Sequence, residues 1–236
     1  MKVITFPAVK LARATARLLN GKMAEFRNQS FLLILSGGSS LAPLDYLDTK
    51  SINEKTTITV LDDRHSRDPT ENNFSLMTAT PFYAKAKKNG AKFIDTGIQN
   101  NESLEDHGAC FERELRSWRN KHPNAPIFAT IGIGPDGHVA GMMPYPEDTS
   151  LFYKLFEGAR WAVGYNAGDK NSLPLRVTVT IPFICDEISF AVSFVSGENK
   201  KTALEKVISE KGTLAETPAR VLRNMKAAVV CTDIEL

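Results

Sequence analysis

Runs that favour strands alternate with runs that favour helices along the whole chain, and this alternation constrains the fold more than any other feature. Phe31-Leu32-Leu33-Ile34-Leu35 is a continuous apolar run ended by Gly37-Gly38, the pattern of a strand buried on both faces. Residues 57–61 are rich in β-branched side chains and end in an acidic cluster, and residues 127–131 follow Pro126 and run into Gly132. Residues 176–181 alternate β-branched side chains before Pro182, and residues 188–195 read as another buried strand. Leu11, Thr15, Leu18, Leu19 and Phe26 recur at helical spacing, as do Leu104, Cys110, Phe111, Leu115 and Trp118. Ala203, Leu204, Val207 and Ile208 do the same in residues 200–208. Such alternation predicts an α/β fold, a mostly parallel sheet covered by helices on both faces. A single domain over residues 1–236 is expected, because Gly90 and Gly168 mark loops and no long linker or repeat interrupts the pattern.

Composition excludes several classes. Lys and Arg number 29 against 27 Asp and Glu, a net charge of +2 that calls for neither nucleic acid nor an anionic membrane. No segment approaches the ~18–20 consecutive apolar residues of a membrane span. The first residues are basic and amphipathic, but their helical periodicity continues to Phe26 as in a core helix, so a cytoplasmic protein is expected. Cys110, Cys185 and Cys231 lie far apart without a Cys-x-x-Cys, which predicts reduced, buried thiols and neither a disulfide framework nor a zinc ribbon. The four histidines show no metal-ligand spacing, and neither a metal nor a cofactor is expected.

In open α/β sheets ligands sit beyond the carboxyl ends of the strands. Four polar segments follow the expected strands. Ser36-Gly37-Gly38-Ser39-Ser40 leads toward a helix containing Pro43, Leu44 and Leu47; it fits a tight βα turn and a phosphate cradle equally well, and lacks the Gly-Lys-Ser/Thr of a Walker A loop. Asp62-Asp63-Arg64 is either a solvated charge cluster or a wall of a polar site. Residues 132–137 match G-x-G-x-x-G formally, but Gly141, Pro144 and Pro146 argue against the helix that a dinucleotide site needs, so the fold is Rossmann-like without that site. The loop offers instead Asp136 and His138, a carboxylate placed to orient an imidazole base, or simply a loop histidine. His65, His107 and His122 have no comparable setting. In Ser196-Gly197-Glu198-Asn199-Lys200, Lys200 is either a surface residue or, against the helix dipole, an anion ligand. No G-x-S-x-G occurs, so a serine hydrolase is not expected.

Taken together, SGGSS (36–40), DDR (62–64), IGIGPDGH (131–138), RVTVT (176–180) and SGENK (196–200) resemble, in order and approximate spacing, the 6-phosphogluconolactonase family and its relative glucosamine-6-phosphate deaminase. Gly-Pro-Asp-Gly-His is the most specific of these elements. The resemblance implies a parallel-sheet α/β domain that hydrolyses 6-phospho-D-glucono-1,5-lactone to 6-phosphogluconate, in the pentose phosphate pathway. It implies His138 as general base with Asp136 beside it. Gly37, Gly38, Ser39, Ser40, Arg176 and Lys200 would hold the phosphate, and Asp62 and Arg64 would line the sugar site. The only partner implied is a phosphosugar, with the chain a monomer or small homo-oligomer.

The chain departs from the family pattern after the histidine. It reads DGHVAGMMP (136–144), so Val139 and Gly141 stand where lactonases carry hydroxyls. Deaminases place a glutamate there, whereas this chain has Met142-Met143-Pro144 and no carboxylate before Glu147, which favours the lactonase. A sugar-phosphate sensor would carry a DNA-binding module, and the 30 residues before the first core strand are too few for one. A non-catalytic sugar-phosphate-binding protein stays open as a third reading.

Overall fold

The side chains of the central strand point into the two main cores, one on each face of the sheet. The computed structural model describes residues 1–99 and 101–236. In β2 (Phe31–Leu35), Leu32 and Ile34 enter one core, while Phe31, Leu33 and Leu35 enter the other, and all five are fully buried. Period-two alternation thus serves both faces, which explains the unbroken apolar run.

Around it lie β1 (Lys2–Thr5), β3 (Thr56–Val60), β5 (Lys92–Phe93), β6 (Ile127–Gly132), β9 (Phe190–Val195) and β10 (Ala228–Thr232). These seven strands form one sheet in the order β1-β10-β9-β6-β2-β3-β5, and every neighbouring pair is parallel. One face carries α1 (Ala8–Glu25), α2 (Asn73–Thr78) and α3 (Pro81–Lys88), through residues such as Leu19, Met77 and Phe82. The other carries α4 (Leu104–Lys121), α5 (Thr149–Phe156) and α6 (Lys201–Ile208), through Phe111, Phe152 and Leu204. α4 begins at Ser103, whose hydroxyl accepts from the Asp106 N–H, an N-cap that satisfies one orphan donor. Among the described residues no helix is long and apolar enough to cross a membrane. Only Cys231 is buried; Cys110 and Cys185 are half-buried, and all three are unpaired.

Two expectations change. The strand expected over residues 176–181 is β8 (Leu175–Val179), and it lies outside the main sheet. It forms the centre of a three-stranded antiparallel sheet with β4 (Asp62–Arg64) and β7 (Ala162–Asn166). Residues 62–64 are therefore a separate strand of the second sheet and not the end of the strand before them. The helix expected after the Ser-Gly-Gly-Ser turn is a nine-residue 3₁₀ helix, Gly38–Tyr46, containing Pro43. Proline removes a backbone donor there, and the tighter winding suits a short connector.

The small sheet is held by an unusually close helix–strand contact. A Cβ added to Gly108 in α4 would lie 2.0 Å from the Gly164 nitrogen in β7, and one on Gly164 would lie 1.8 Å from the Leu104 carbonyl oxygen. Glycine within a helix costs roughly 0.5–1 kcal/mol against alanine, so close packing outweighs local propensity here. Gly108→Ala is expected to lower stability by about 1–3 kcal/mol, read as a fall in Tm. An unchanged Tm would show that α4 shifts away without cost.

Candidate active site

β2 and β6 are neighbours from which the chain departs in opposite directions, toward β3 and β5 on one side and toward β9 and β10 on the other. A crevice opens at such a switch point. The two strand ends are tied together: the Ser36 N–H donates to Thr130 Oγ1 at 3.0 Å, and the Gly132 N–H donates to Ser36 Oγ at 3.2 Å. The cavity beyond them has a volume of about 240 Å³.

Nine of the ten residues singled out in the sequence line it: Gly37, Gly38, Ser39, Ser40, Asp62, Arg64, His138, Arg176 and Lys200. Asp136 is outside the lining and touches the cavity through His138. Gly38 has φ +60°, a left-handed conformation that lets the chain turn from β2 into the 3₁₀ helix. Lys200 is 8% exposed, and its ammonium donates to Ser39 Oγ at 3.0 Å. Burial pushes the ammonium pKa down, against the upward pull of Asp233. Arg176 is 3% exposed; one terminal nitrogen donates to Asp62 Oδ2 at 2.8 Å, forming a buried ion pair. Arg64 donates to the Glu71 carbonyl at 2.6 Å and to Asn73 Oδ1 at 3.0 Å. The Nε atoms of Arg64 and Arg176 are buried and lack hydrogen-bond partners among the described residues. Buried donors of this kind are costly unless something accepts from them.

His138 folds back over its own loop. Its Nδ1 lies 2.5 Å from Asp136 Oδ1, and its backbone N–H donates to the same oxygen at 3.1 Å. Burial raises the Asp136 carboxyl, but the hydrogen bonds and charge of His138 outweigh it and hold the group below the usual carboxylate range. An ionised carboxylate only accepts, so Nδ1 carries the hydrogen, and in the neutral imidazole the lone pair is on Nε2. A Cβ on Gly134 would lie 2.1 Å from the imidazole ring, so that position must be bare for the ring to fold back.

The loop after His138 is fixed by the small sheet. Ala140 has φ +48°, and its carbonyl accepts from Thr178 Oγ1. Tyr165 Oη donates to the Gly141 carbonyl at 2.6 Å and accepts from the Met143 N–H. Gly141, at φ +75°, packs so near Asp62 that a Cβ would sit 2.9 Å from Oδ2. Gly141 lines the cavity, whereas Val139 is fully buried in the core. The departure at Val139 therefore removes no hydroxyl from the cavity wall.

Some residues in and behind the site are given no role by the sequence reading. Asn73, on α2, lines the cavity and joins Arg64 to the Asp62 carbonyl, to which its Nδ2 donates at 2.9 Å. Asp63 is fully buried, and burial pushes its carboxyl up to about 6 against four hydrogen bonds. His65 and His107, which had no evident setting, meet through their Nδ1 atoms at 3.0 Å. Beside the DDR segment, the helix N-cap at Asn72 is the cue that could have found Asn73. Among the described residues no three His, Cys, Asp or Glu side chains gather as a metal site.

Fold and cavity together define an α/β domain with a cation-rich pocket and an oriented imidazole at the switch point of a parallel sheet. Residues 7–231 match the model of the glucosamine-6-phosphate isomerases/6-phosphogluconolactonase family, and the chain belongs to that family. It is 27% identical over 223 residues to probable 6-phosphogluconolactonase 4, chloroplastic, of Oryza sativa subsp. indica, covering 89% of this chain and 65% of the rice protein. It therefore spans just under two thirds of that relative's length. A 6-phosphogluconolactonase of Mesorhizobium japonicum is 26% identical over 221 residues, covering 92% of this chain and 84% of that one. Among solved structures, 6-phosphogluconolactonase from Thermotoga maritima superposes with a TM-score of 0.78 at 18% identity, over 98% of both chains, a likeness of fold.

Proposed function

We propose that the protein hydrolyses 6-phospho-D-glucono-1,5-lactone to 6-phosphogluconate, with His138 as general base. The observation that carries this reading is an imidazole locked by Asp136 on the same cavity as three cationic side chains and one carboxylate. Apart from the imidazole, that leaves two positive charges, a match for a phosphate monoester of about −1.5 to −2. The names of the rice and Mesorhizobium relatives point the same way.

Arg176 is in direct ion-pair contact with Asp62, whereas Arg64 and Lys200 form no such contact among the described residues, Asp233 acting on Lys200 only from farther away. Arg64 and Lys200 therefore serve as the principal phosphate anchors, beside Ser39, Ser40 and the backbone of Gly37 and Gly38. The Asp62–Arg176 pair forms the wall facing the sugar. Nε2 of His138 takes a proton from water as its oxygen attacks C1 of the lactone. The tetrahedral oxyanion then collapses, the bond from C1 to the ring oxygen breaks, and the proton passes to that oxygen. A lactone is an activated ester, so this route needs neither a covalent nucleophile nor a metal. Anchoring at the remote phosphate holds C1 against the water.

Of the two activities in the family's description, the lactonase is favoured by the environment after His138. Met142 and Met143 are fully buried, and Glu147 is on the surface in an ion pair with Lys170. Asp62 is the one carboxylate lining the cavity among the described residues, and it is already paired. The proposal places the enzyme in the cytoplasm.

The test is hydrolysis of 6-phosphogluconolactone above its spontaneous rate, alongside ammonia release from glucosamine 6-phosphate. Activity on the lactone without ammonia supports the reading, and ammonia release overturns it in favour of a deaminase. Lys200→Ala is expected to raise KM for the phosphorylated lactone roughly 10–100-fold, the scale of one charge-assisted hydrogen bond, and to leave KM for gluconolactone unchanged. Equal effects on both substrates would remove Lys200 from phosphate binding.

A further inference from the structure

Asp63 is fully buried and does not line the cavity, yet it is the hub of the wall that carries Arg64 and Asn73. Its Oδ1 accepts from the backbone N–H groups of Arg64 at 2.8 Å and Asn73 at 2.6 Å. Its Oδ2 accepts from the Phe74 N–H at 3.1 Å and from the Thr96 hydroxyl at 2.5 Å. Four donors thus converge on one carboxylate with no cation among them. Asn73 in turn accepts from the Arg64 guanidinium and donates to the Asp62 carbonyl. One side chain therefore fixes both the backbone of the proposed phosphate anchor and the residue that holds its guanidinium.

The clamp is braced from behind. His107 Nε2 lies 2.7 Å from the Thr96 carbonyl, which only accepts, so Nε2 carries the hydrogen. Thr96 is thereby tied to α4, and the hydroxyl it aims at Asp63 is held in place.

We infer that Asp63 is a positioning residue for anion binding, clamping β4 to the first turn of α2 so that Arg64 stands preset in the cavity. This role rests on the reading of Arg64 as a phosphate anchor. Preset donors spare the ordering cost that a mobile arginine would incur on binding. Loss of the clamp therefore weakens binding of the phosphorylated substrate more than it slows the chemistry at His138.

The experiment compares Asp63→Ala, Asp63→Asn and Thr96→Val. Asp63→Ala is expected to raise KM for 6-phosphogluconolactone at least tenfold, change kcat less than threefold, and leave KM for gluconolactone unaltered. Asp63→Asn, whose amide oxygen still accepts from Arg64 and Asn73, is expected to stay within threefold of wild type. Thr96→Val is expected to raise KM two- to fivefold. A merely structural role would lower the active fraction, and hence apparent kcat, at constant KM; that result overturns the inference. Equal impairment of Asp63→Ala and Asp63→Asn overturns it too. Should Asp63→Ala not fold, an unchanged KM in Thr96→Val does the same. Calorimetry with inorganic phosphate separates this inference from the lactonase reading. If the wild type binds phosphate without hydrolysing the lactone, the lactonase reading fails. Phosphate affinity at least tenfold weaker in Asp63→Ala would then still support the clamp, and unchanged affinity would overturn it.

Discussion

His138→Ala is expected to reduce kcat on 6-phosphogluconolactone by roughly 10²–10⁴-fold, the usual worth of a positioned general base. Tm should hardly move, because the imidazole is 30% exposed and its partner Asp136 is 42% exposed. KM should also change little, since the proposed anchors are other residues. The accompanying variant Asp136→Asn keeps an oxygen that can accept from both the ring and the backbone N–H of His138. It loses only the charge that favours the imidazolium formed when water is deprotonated, so its deficit should be smaller. The rates must be corrected for spontaneous lactone opening. If corrected kcat in His138→Ala matches wild type, the proton goes elsewhere and the mechanism must be redrawn.

The second large effect concerns stability. The Asp62–Arg176 pair is almost wholly buried, with side-chain exposures of 6% and 4%. Removing one partner of such a pair leaves an uncompensated charge and typically costs about 3–5 kcal/mol. For a chain of this size, that corresponds to a fall in Tm of roughly 6–20 °C. Asp62→Ala should show that loss in thermal unfolding, together with a higher affinity for inorganic phosphate well below Tm, because the cavity gains a positive charge. An unchanged Tm would mean that water already compensates Arg176. Weaker phosphate binding would mean that Asp62 holds Arg176 in a geometry that binding requires.

The parts of the site legible in the sequence share one property: their chemistry is local. Ser36 to Ser40 and Gly132 to His138 leave β2 and β6 at the carboxyl ends, and turn chemistry with short polar side chains marks such exits directly. The Asp136–His138 contact spans two residues, so spacing alone made it readable. Lys200 follows β9 across a glycine with φ +97°, again a local signal. The same locality accounts for the main sheet, since a continuous apolar run implies a strand covered on both sides.

What stayed hidden depends on distant pairing. Residues 62–64 read as the polar end of the strand before them, because three residues give no period of their own; they are a separate strand because β8, more than 100 positions later, pairs with them. Asp62 and Arg176 are 114 positions apart, and Lys200 reaches Ser39 across 161. Asp63 fitted both a solvated charge cluster and the wall of a polar site, until the fold buried it against Thr96 and α2. Gly108 and Gly164 gave no signal in the sequence, and only the close approach of α4 and β7 shows why neither can carry a side chain. The sequence alone therefore determined the alternating pattern, the mostly parallel sheet and the loops that bear the proposed base and Lys200, because periodicity and turn chemistry act over a few residues. The tertiary structure decided which charges neutralise one another, which remain for a ligand, and how the arginine wall is held, because those depend on distances between segments that local chemistry does not set.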